Sequence, residues 1–502
     1  DDITVSPHDL EDAYLPAFRD AIVDARAGSI MCAYNGVNGV PACANSTLLQ
    51  DKLRGDWGFK GFVVSDCAAV TDIFKPRNFA PDAASAVGLA FRAGMDNECT
   101  VEGFFGVSAR QRYEEALASG KLTPADVDAS LIRLFTARYR LGSLEKAPWA
   151  SRGTMPIISP DAAAVAQRSA EESVVLLKNA GILPLKSKGL RIAVIGPLAR
   201  ATRVMRGNYS SGNATETLSV IDGLRRELPD ATIVEAIAGA FEGDGDPVPI
   251  SALQTADGQP GLLAEYFAAE FPKGVNNRSL DEILARIPRP TYAARPVISR
   301  IEPKVEVVIL APPGGLPTFY RAVWSGYLVP TETGLFRLGL KGAFATMTFD
   351  GAPFAEIGKD TSGLGDLKEV QLAKGRRYPI RIVAEKDSVA DTRLVWKRIS
   401  ATPDDDQARA TAQADVVVAV VGLTSDLEGE EVKVAIPGFD DGDRTSLDLP
   451  AAQQRLLEAA KASGKPLVVV LMNGSAINLA WAKANADAIV EAWYPGQAGG
   501  TA

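Results

Sequence analysis

Histidine is almost absent: His8 is the only one in 502 residues. With only four cysteines beside it, there is no ligand cluster of the kind that holds zinc, so neither metal-dependent chemistry nor a cofactor is expected. No apolar run reaches the roughly 18–20 residues of a membrane span. The first residues also lack the basic segment and apolar stretch of a signal peptide. Positive charge is in deficit, with 53 Lys and Arg against 62 Asp and Glu and a net charge of -9. A nucleic-acid partner, whose phosphates need a basic face, is thereby disfavoured, whereas a neutral substrate is compatible. The cysteines lie at positions 32, 43, 67 and 99, and four cysteines allow three pairings. Cys32 and Cys43 flank a Gly-rich turn, which makes a local loop-closing disulfide one candidate and buried free thiols the other.

What is present is the balance of a soluble globular chain, 46% hydrophobic and 23% charged. The length suggests about three domains. Residues 1–145 alternate helical and strand-like segments in the manner of βα units. An amphipathic helix is expected over 9–27 and a strand over 29–34. A helix follows around 46–54, then a strand over 61–65, with further helices near 83–94, 108–119 and 131–141. Pro148 and Pro156 mark a linker over 146–160. A helix over 162–179 and a strand over 191–196 open a second α/β region. Residues 255–400 differ, with short β-branched and aromatic runs between Gly and Pro, the mark of an all-β module. After it the α/β pattern resumes. The economical reading is an α/β domain, 161–250 with 401–502, interrupted by a β insert. Only about three βα units are found in the first region, where a complete parallel barrel needs eight.

Two acidic motifs stand at the carboxyl ends of expected strands, where parallel βα folds place their catalytic groups. Asp66 closes Gly61-Phe62-Val63-Val64-Ser65-Asp66. The cluster Asp426-Leu427-Glu428-Gly429-Glu430-Glu431 follows the apolar run 416–421. Taken singly, a helix-capping or turn aspartate and a solvated acidic loop are the commoner explanations. Taken together, they offer the two carboxylates that glycoside hydrolysis requires, one as nucleophile and one as acid. Contributed by different domains, they would place a sugar in a cleft between the two.

The strings around these residues resemble glycoside hydrolase family 3. Met31-Cys32-Ala33-Tyr34-Asn35-Gly36-Val37-Asn38-Gly39-Val40-Pro41 and the segment ending at Asp66 are similar to the nucleophile half of that family's barrel. Ser169-Ala170-Glu171-Glu172-Ser173-Val174-Val175-Leu176-Leu177-Lys178-Asn179 resembles the start of its second, α/β/α sandwich domain. Leu427-Glu428-Gly429-Glu430, Gly442-Asp443-Arg444 and Trp493-Tyr494-Pro495-Gly496 match its acid/base segment and later strands. The insert resembles a protective-antigen-like carbohydrate-binding module, on Trp324-Ser325-Gly326-Tyr327-Leu328 and Phe349-Asp350-Gly351 among others. The fold this implies is a multidomain α/β chain: the C-terminal part of a (β/α)8 barrel, then a sandwich interrupted by an all-β insert.

Carried over position by position, the resemblance makes Asp66 the nucleophile and Glu430 the general acid/base, with Glu428 its rival. Met31 and Tyr34 match pocket-lining residues. Cys67, with Asp96-Asn97-Glu98-Cys99, is similar to the β-xylosidase branch, where β-glucosidases often carry Trp after the nucleophile. The implied disulfides are Cys32–Cys43 and Cys67–Cys99, and an oxidising, periplasmic or secreted setting follows. The expected activity is exo-acting, retaining hydrolysis of terminal β-D-xylosyl residues from xylo-oligosaccharides. A β-glucosidase of the same family is the first alternative, and a carbohydrate-binding protein without turnover is the second. The family's Lys-His segment and upstream substrate-binding residues do not appear, so the chain is expected to be an internal portion of a longer enzyme. Nothing in the sequence speaks to oligomeric state.

Overall fold

The computed structural model describes residues 2–75, 77–99, 109–142, 159–186, 189–207, 217–243, 245–270, 291–307, 320–342, 344–358, 364–386, 392–429 and 433–502. The chain divides into two compact units, Asp1–Pro156 with Phe271–Pro290 and Ile157–Glu270 with Thr291–Ala502. Among the described residues no helix is long and apolar enough to cross a membrane.

In the first unit, strands β1 (Ser29–Cys32) and β2 (Phe62–Ser65) pair in parallel, Met31 opposite Val64 and Cys32 opposite Ser65. Asn97 extends this pair by a parallel bridge to Val64. Helical segments follow each strand, among them Thr47–Asp56, α1 (Ala83–Ala93), α2 (Ala109–Ala118) and α3 (Pro124–Arg140). Helix α1 starts where the Asp82 side chain accepts from the Ser85 N–H and ends at left-handed Gly94. Its small residues Ala86, Val87 and Ala90, fully buried, pack in one core with Val63, Ile73 and Met95. Helix α3 begins earlier than the expected residue 131, because Thr123 and Asp126 form a reciprocal capping box with Pro124 in the first turn. The helix expected over 9–27 is broken into Pro7–Asp9, a π-helical turn Leu10–Tyr14 and Pro16–Val23. Pro16 has no N–H to continue an α-helical ladder across that point.

The second unit opens with α4 (Pro160–Ser173), capped by Ser159; the linker expected over 146–160 falls mostly outside the described residues. Strand β3 (Val175–Asn179) follows at once, so the helix expected over 162–179 is corrected to a helix and a strand. The apolar run 174–177 fits either periodicity, and antiparallel pairing with the last strand of the sheet decides it. Next come β4 (Arg191–Ile195), α5 (Val220–Glu227) and β5 (Thr232–Glu235).

The insert then contributes β6 (Leu262–Glu270), β7 (Ile298–Glu302), β8 (Tyr320–Leu328), β9 (Gly334–Gly342), β10 (Ala345–Phe349), β11 (Ala352–Ile357), β12 (Asp366–Leu372), β13 (Tyr378–Lys386) and β14 (Thr392–Ile399). One sheet runs β6-β8-β13-β10-β11 with β7 on β6, and the other runs β14-β9-β12. Both face one apolar core that includes Tyr266, Trp324, Phe336, Leu338, Met347 and Leu394. Along β10 buried Ala345, Met347 and Phe349 alternate with exposed Thr346 and Thr348, the two-residue period of a sheet with one wet face. The insert begins before the expected residue 255, since Asp246–Pro247 pairs with Val395 and Trp396 of β14. A two-residue strand containing proline carries no pattern that could announce it.

The α/β pattern resumes with α6 (Pro403–Gln413), β15 (Val416–Gly422), α7 (Ala451–Ala462), β16 (Leu467–Met472), α8 (Ala480–Asn485) and β17 (Ala488–Glu491). Strands from before and after the insert join one sheet, ordered β3-β17-β16-β15-β4-β5. All its pairs are parallel except β17 with β3. Val418, Val420 and Val194 lie in a core on one face, Val417, Ala419, Val421 and Ile195 in a core on the other. Burial on both faces explains why β15 is wholly apolar instead of alternating.

Candidate active site

In the first unit, the β1–β2 register carries Met31, Val64 and Asp66 to one face, while Val63 and Ser65 turn to the helices and are buried. The face with Asp66 is the open one: Asp66 is half-buried, Met31 is 53% exposed and Tyr34 is 41% exposed. The backbone at Asp66 is fixed from several sides. Its N–H donates to the Cys32 carbonyl at 2.9 Å, and the Ala68 N–H donates to the Cys99 carbonyl at 3.1 Å. The Cys99 N–H donates to the Ser65 hydroxyl at 3.0 Å. Asp66 Oδ1 accepts from the Cys67 N–H at 2.7 Å. Both disulfides named above occur, Cys32–Cys43 and Cys67–Cys99. The second ties the residue after Asp66 to the segment beyond Asn97, so the carboxylate projects from a cross-linked corner.

Beneath that corner lies Asp96, a residue assigned no role above. The Asp96 side chain is fully buried and accepts from the Val63 N–H at 2.9 Å, from Arg54 Nη2 at 2.7 Å and from Arg133 Nε at 2.7 Å. A nearby buried pair, Arg112 Nη2 to Glu98 Oε1 at 2.8 Å, adds a second internal ion pair. The available signal was weak: two acids, Asp96 and Glu98, just beyond a helix-ending glycine and buried Met95.

In the second unit, the loops after β15, β16 and β17 emerge at the same carboxyl edge of the sheet. Gly422 ends β15 with φ of 137°, and a Cβ there would lie 1.9 Å from the Met472 carbonyl. The Gln453 side-chain amide brackets Gly422, accepting from its N–H and donating to its carbonyl. The loop then turns tightly, with Leu427 and Glu428 N–H groups donating to the Thr424 carbonyl. Leu427 is fully buried.

Glu428 does not face the site as an unengaged acid. Its Oε1 accepts from the Ser475 N–H at 2.9 Å, and its Oε2 accepts from the Gly474 N–H at 3.0 Å and from the Tyr494 hydroxyl. Burial and the adjoining Glu428 carboxylate push the Tyr494 hydroxyl well above its usual range, so it remains a donor. Three converging donors suit a carboxylate acting as a brace. Glu430 lies outside the described residues. Two positions before Glu428, the Asp426 carboxyl is buried, which alone would raise it. Lys341, Arg393 and Arg203 outweigh that burial and hold it well below the usual carboxylate range. Across the sheet edge, buried Glu491 accepts from the Trp493 N–H at 3.1 Å, and desolvation raises its carboxyl.

The family model of the glycosyl hydrolase family 3 C-terminal domain matches residues 174–502, and that of the glycosyl hydrolase family 3 N terminal domain matches residues 2–137. The chain is 31% identical to a xylan 1,4-beta-xylosidase of Xylanibacter ruminicola, over 99% of this chain and 56% of that protein. It is 41% identical to a probable exo-1,4-beta-xylosidase of Aspergillus clavatus, over 41% of this chain and 27% of that one. The chain thus spans little more than half the length of the first relative. Among solved structures, a beta-glucosidase from Kluyveromyces marxianus superimposes with a TM-score of 0.73 over all of this chain and 58% of its own, at 22% identity, a likeness of fold.

Proposed function

The chain belongs to glycoside hydrolase family 3, and from that membership we propose that the protein is an exo-acting, retaining β-glycosidase that removes terminal β-D-xylosyl residues from xylo-oligosaccharides. The observation that carries this reading is the carboxylate of Asp66, on the open face of a parallel strand pair and cross-linked at the next residue by Cys67–Cys99. A rigid corner of this kind suits a nucleophile, whose attack depends on being held within a few tenths of an ångström of its target.

Asp66 attacks the anomeric carbon as the leaving oxygen takes a proton from Glu430. Glu430 then removes a proton from the water that releases the glycosyl-enzyme, with net retention of configuration. Glu428 is assigned to bracing rather than proton transfer, because its two oxygens are already committed to three donors. Met31 and Tyr34 line the sugar's pocket. The Cys67–Cys99 bridge occupies space that the hydroxymethyl group of a glucoside would need, which favours a pentose. The same two disulfides support placement in an oxidising compartment, periplasmic or secreted.

The test is release of p-nitrophenol from the β-xyloside by the intact protein. Asp66→Asn is expected to abolish turnover and to prevent covalent labelling by a 2-fluoro xyloside. A variant that still labels would show that another residue is the nucleophile, and equal efficiency on the glucoside would remove the argument from Cys67. Tight sugar binding with no turnover by folded protein would favour a carbohydrate-binding role instead.

A further inference from the structure

The outer face of the insert's β14-β9-β12 sheet is built unlike its inner one. On β9, Phe336, Leu338 and Leu340 enter the sandwich core, so Arg337 and Lys341 lie on the opposite side. On β14, Leu394 belongs to the core and Trp396 packs against it, which places Arg393 and Lys397 outside. The register sets Lys341 directly opposite Arg393, and Arg337 directly opposite Lys397. Like charges facing each other across strands are destabilising unless something between them compensates.

The compensation comes from the α/β portion of the same unit. Lys341, fully buried, donates from Nζ to Asp426 Oδ2 at 2.9 Å. Arg393 Nη2 reaches Asp426 Oδ1 at 3.4 Å, and Arg203 Nη2 stands 3.7 Å from the same oxygen. Arg337 Nη1 donates to the Phe241 carbonyl at 2.8 Å, and Lys397 donates to the Pro197 carbonyl. An apolar face would dock the insert with less desolvation cost, since buried ion pairs are poor stabilisers. What a buried ion pair supplies is a defined place for each atom. Here the atom being placed belongs to the loop after β15, two residues before the Glu428 brace and four before Glu430.

We propose that the β insert is a positioning element of the acid/base loop, acting through Lys341 and Arg393 on Asp426. This rests on the glycosidase reading of Glu430. Asp426 is held by the insert and Glu428 by the loops after β16 and β17, so the backbone leading to Glu430 starts from two fixed points.

The experiment compares phenyl and 2,4-dinitrophenyl β-xylosides in the intact protein. The first leaving group needs protonation and the second does not. Active sites are counted by labelling with a 2-fluoro xyloside that carries the dinitrophenyl leaving group. Lys341→Met is expected to lower kcat/KM for the phenyl substrate by on the order of 10²-fold, as misplacement by about 1 Å would, and to leave the dinitrophenyl value nearly unchanged. Adding Asp426→Asn should bring little further loss, because the two residues act as one unit. Should Lys341→Met not fold, Asp426→Asn alone gives the same comparison with less change of volume. Equal losses on both substrates per labelled site, or none on either, would overturn the proposal while leaving the glycosidase reading intact. Absence of both turnover and labelling in the unsubstituted protein would overturn that reading itself.

Discussion

Replacing Glu428 by Gln separates the two acidic residues that compete for the role of general acid. Among the described residues the carboxylate accepts hydrogen bonds from the Gly474 N–H, the Ser475 N–H and the Tyr494 hydroxyl. A glutamine offers one oxygen acceptor and a donor NH2. If its oxygen takes the Oε2 place, the NH2 points at the Ser475 N–H. If it takes the Oε1 place, the NH2 points at the Gly474 N–H. Either way at least one charge-assisted bond is lost, at about 1.5–3 kcal/mol, and the bonds that remain weaken as the charge goes. A total near 3 kcal/mol lowers the Tm of the second unit by on the order of 4 °C. A scanning melt measures that, and kinetics with added azide complete the test. Azide captures a glycosyl-enzyme without losing a proton, so it restores turnover of activated substrates only when the general base itself is missing. Glu428→Gln should therefore melt early and gain nothing from azide, whereas Glu430→Gln should gain. An unchanged melt with strong azide rescue of Glu428→Gln would refute the reasoning and make Glu428 the acid/base.

Three further outcomes are expected. Asp96→Ala strands Arg54, Arg133 and the Val63 amide and should cost the first unit about 3–5 kcal/mol, read as loss of its urea transition at low denaturant. Exchanging Cys67 and Cys99 for serine opens a loop with a sequence separation of 32. Loop entropy puts the loss at about 3–4 kcal/mol, and unchanged denaturant stability with undiminished discrimination between xyloside and glucoside would contradict both roles given to the bridge. Asp415, hydrogen-bonded by the Arg191 side chain and N–H, has its carboxyl drawn down from 3.8 to about 2. A lowered folded-state value means the contribution is complete above about pH 4 and fades as pH falls toward 2. Acid titration of Asp415→Asn should thus show a shallower loss of stability in that window than the unsubstituted protein.

Much of the architecture is legible because burial leaves its period in the sequence. Val416–Gly422 is apolar throughout because both faces of its sheet are covered, and Ala345–Phe349 alternates because one face of its sheet is wet. Where the period is ambiguous, legibility stops. The run after Ser173 suits a helix as well as a strand, and only its pairing with Ala488–Glu491 decides between them. The site divides along the same line. The place of Asp66 directly after a strand does not by itself distinguish it from a turn aspartate; the family-like strings around it single it out, and both cysteine bridges are visible through the same resemblance. The bracing of Glu428 depends on donors at positions 474, 475 and 494, and the anchoring of Asp426 on cations at 203, 341 and 393. No local pattern announces contacts made across such distances along the chain.

The pairing of Asp246–Pro247 with Val395 and Trp396 bears on the order in which the second unit assembles. Strand β4 must find β15 across the whole of the insert, and closing a long flexible loop slows folding because its entropy is lost before contacts repay it. Once the insert has folded, its first and last strands are neighbours, and the gap between Glu235 and Val416 becomes a short bridge. The insert then works as an internal clasp on the chain. Its early formation turns a distant strand pairing into a nearly local one, and a variant that delays the insert should delay the α/β sheet with it.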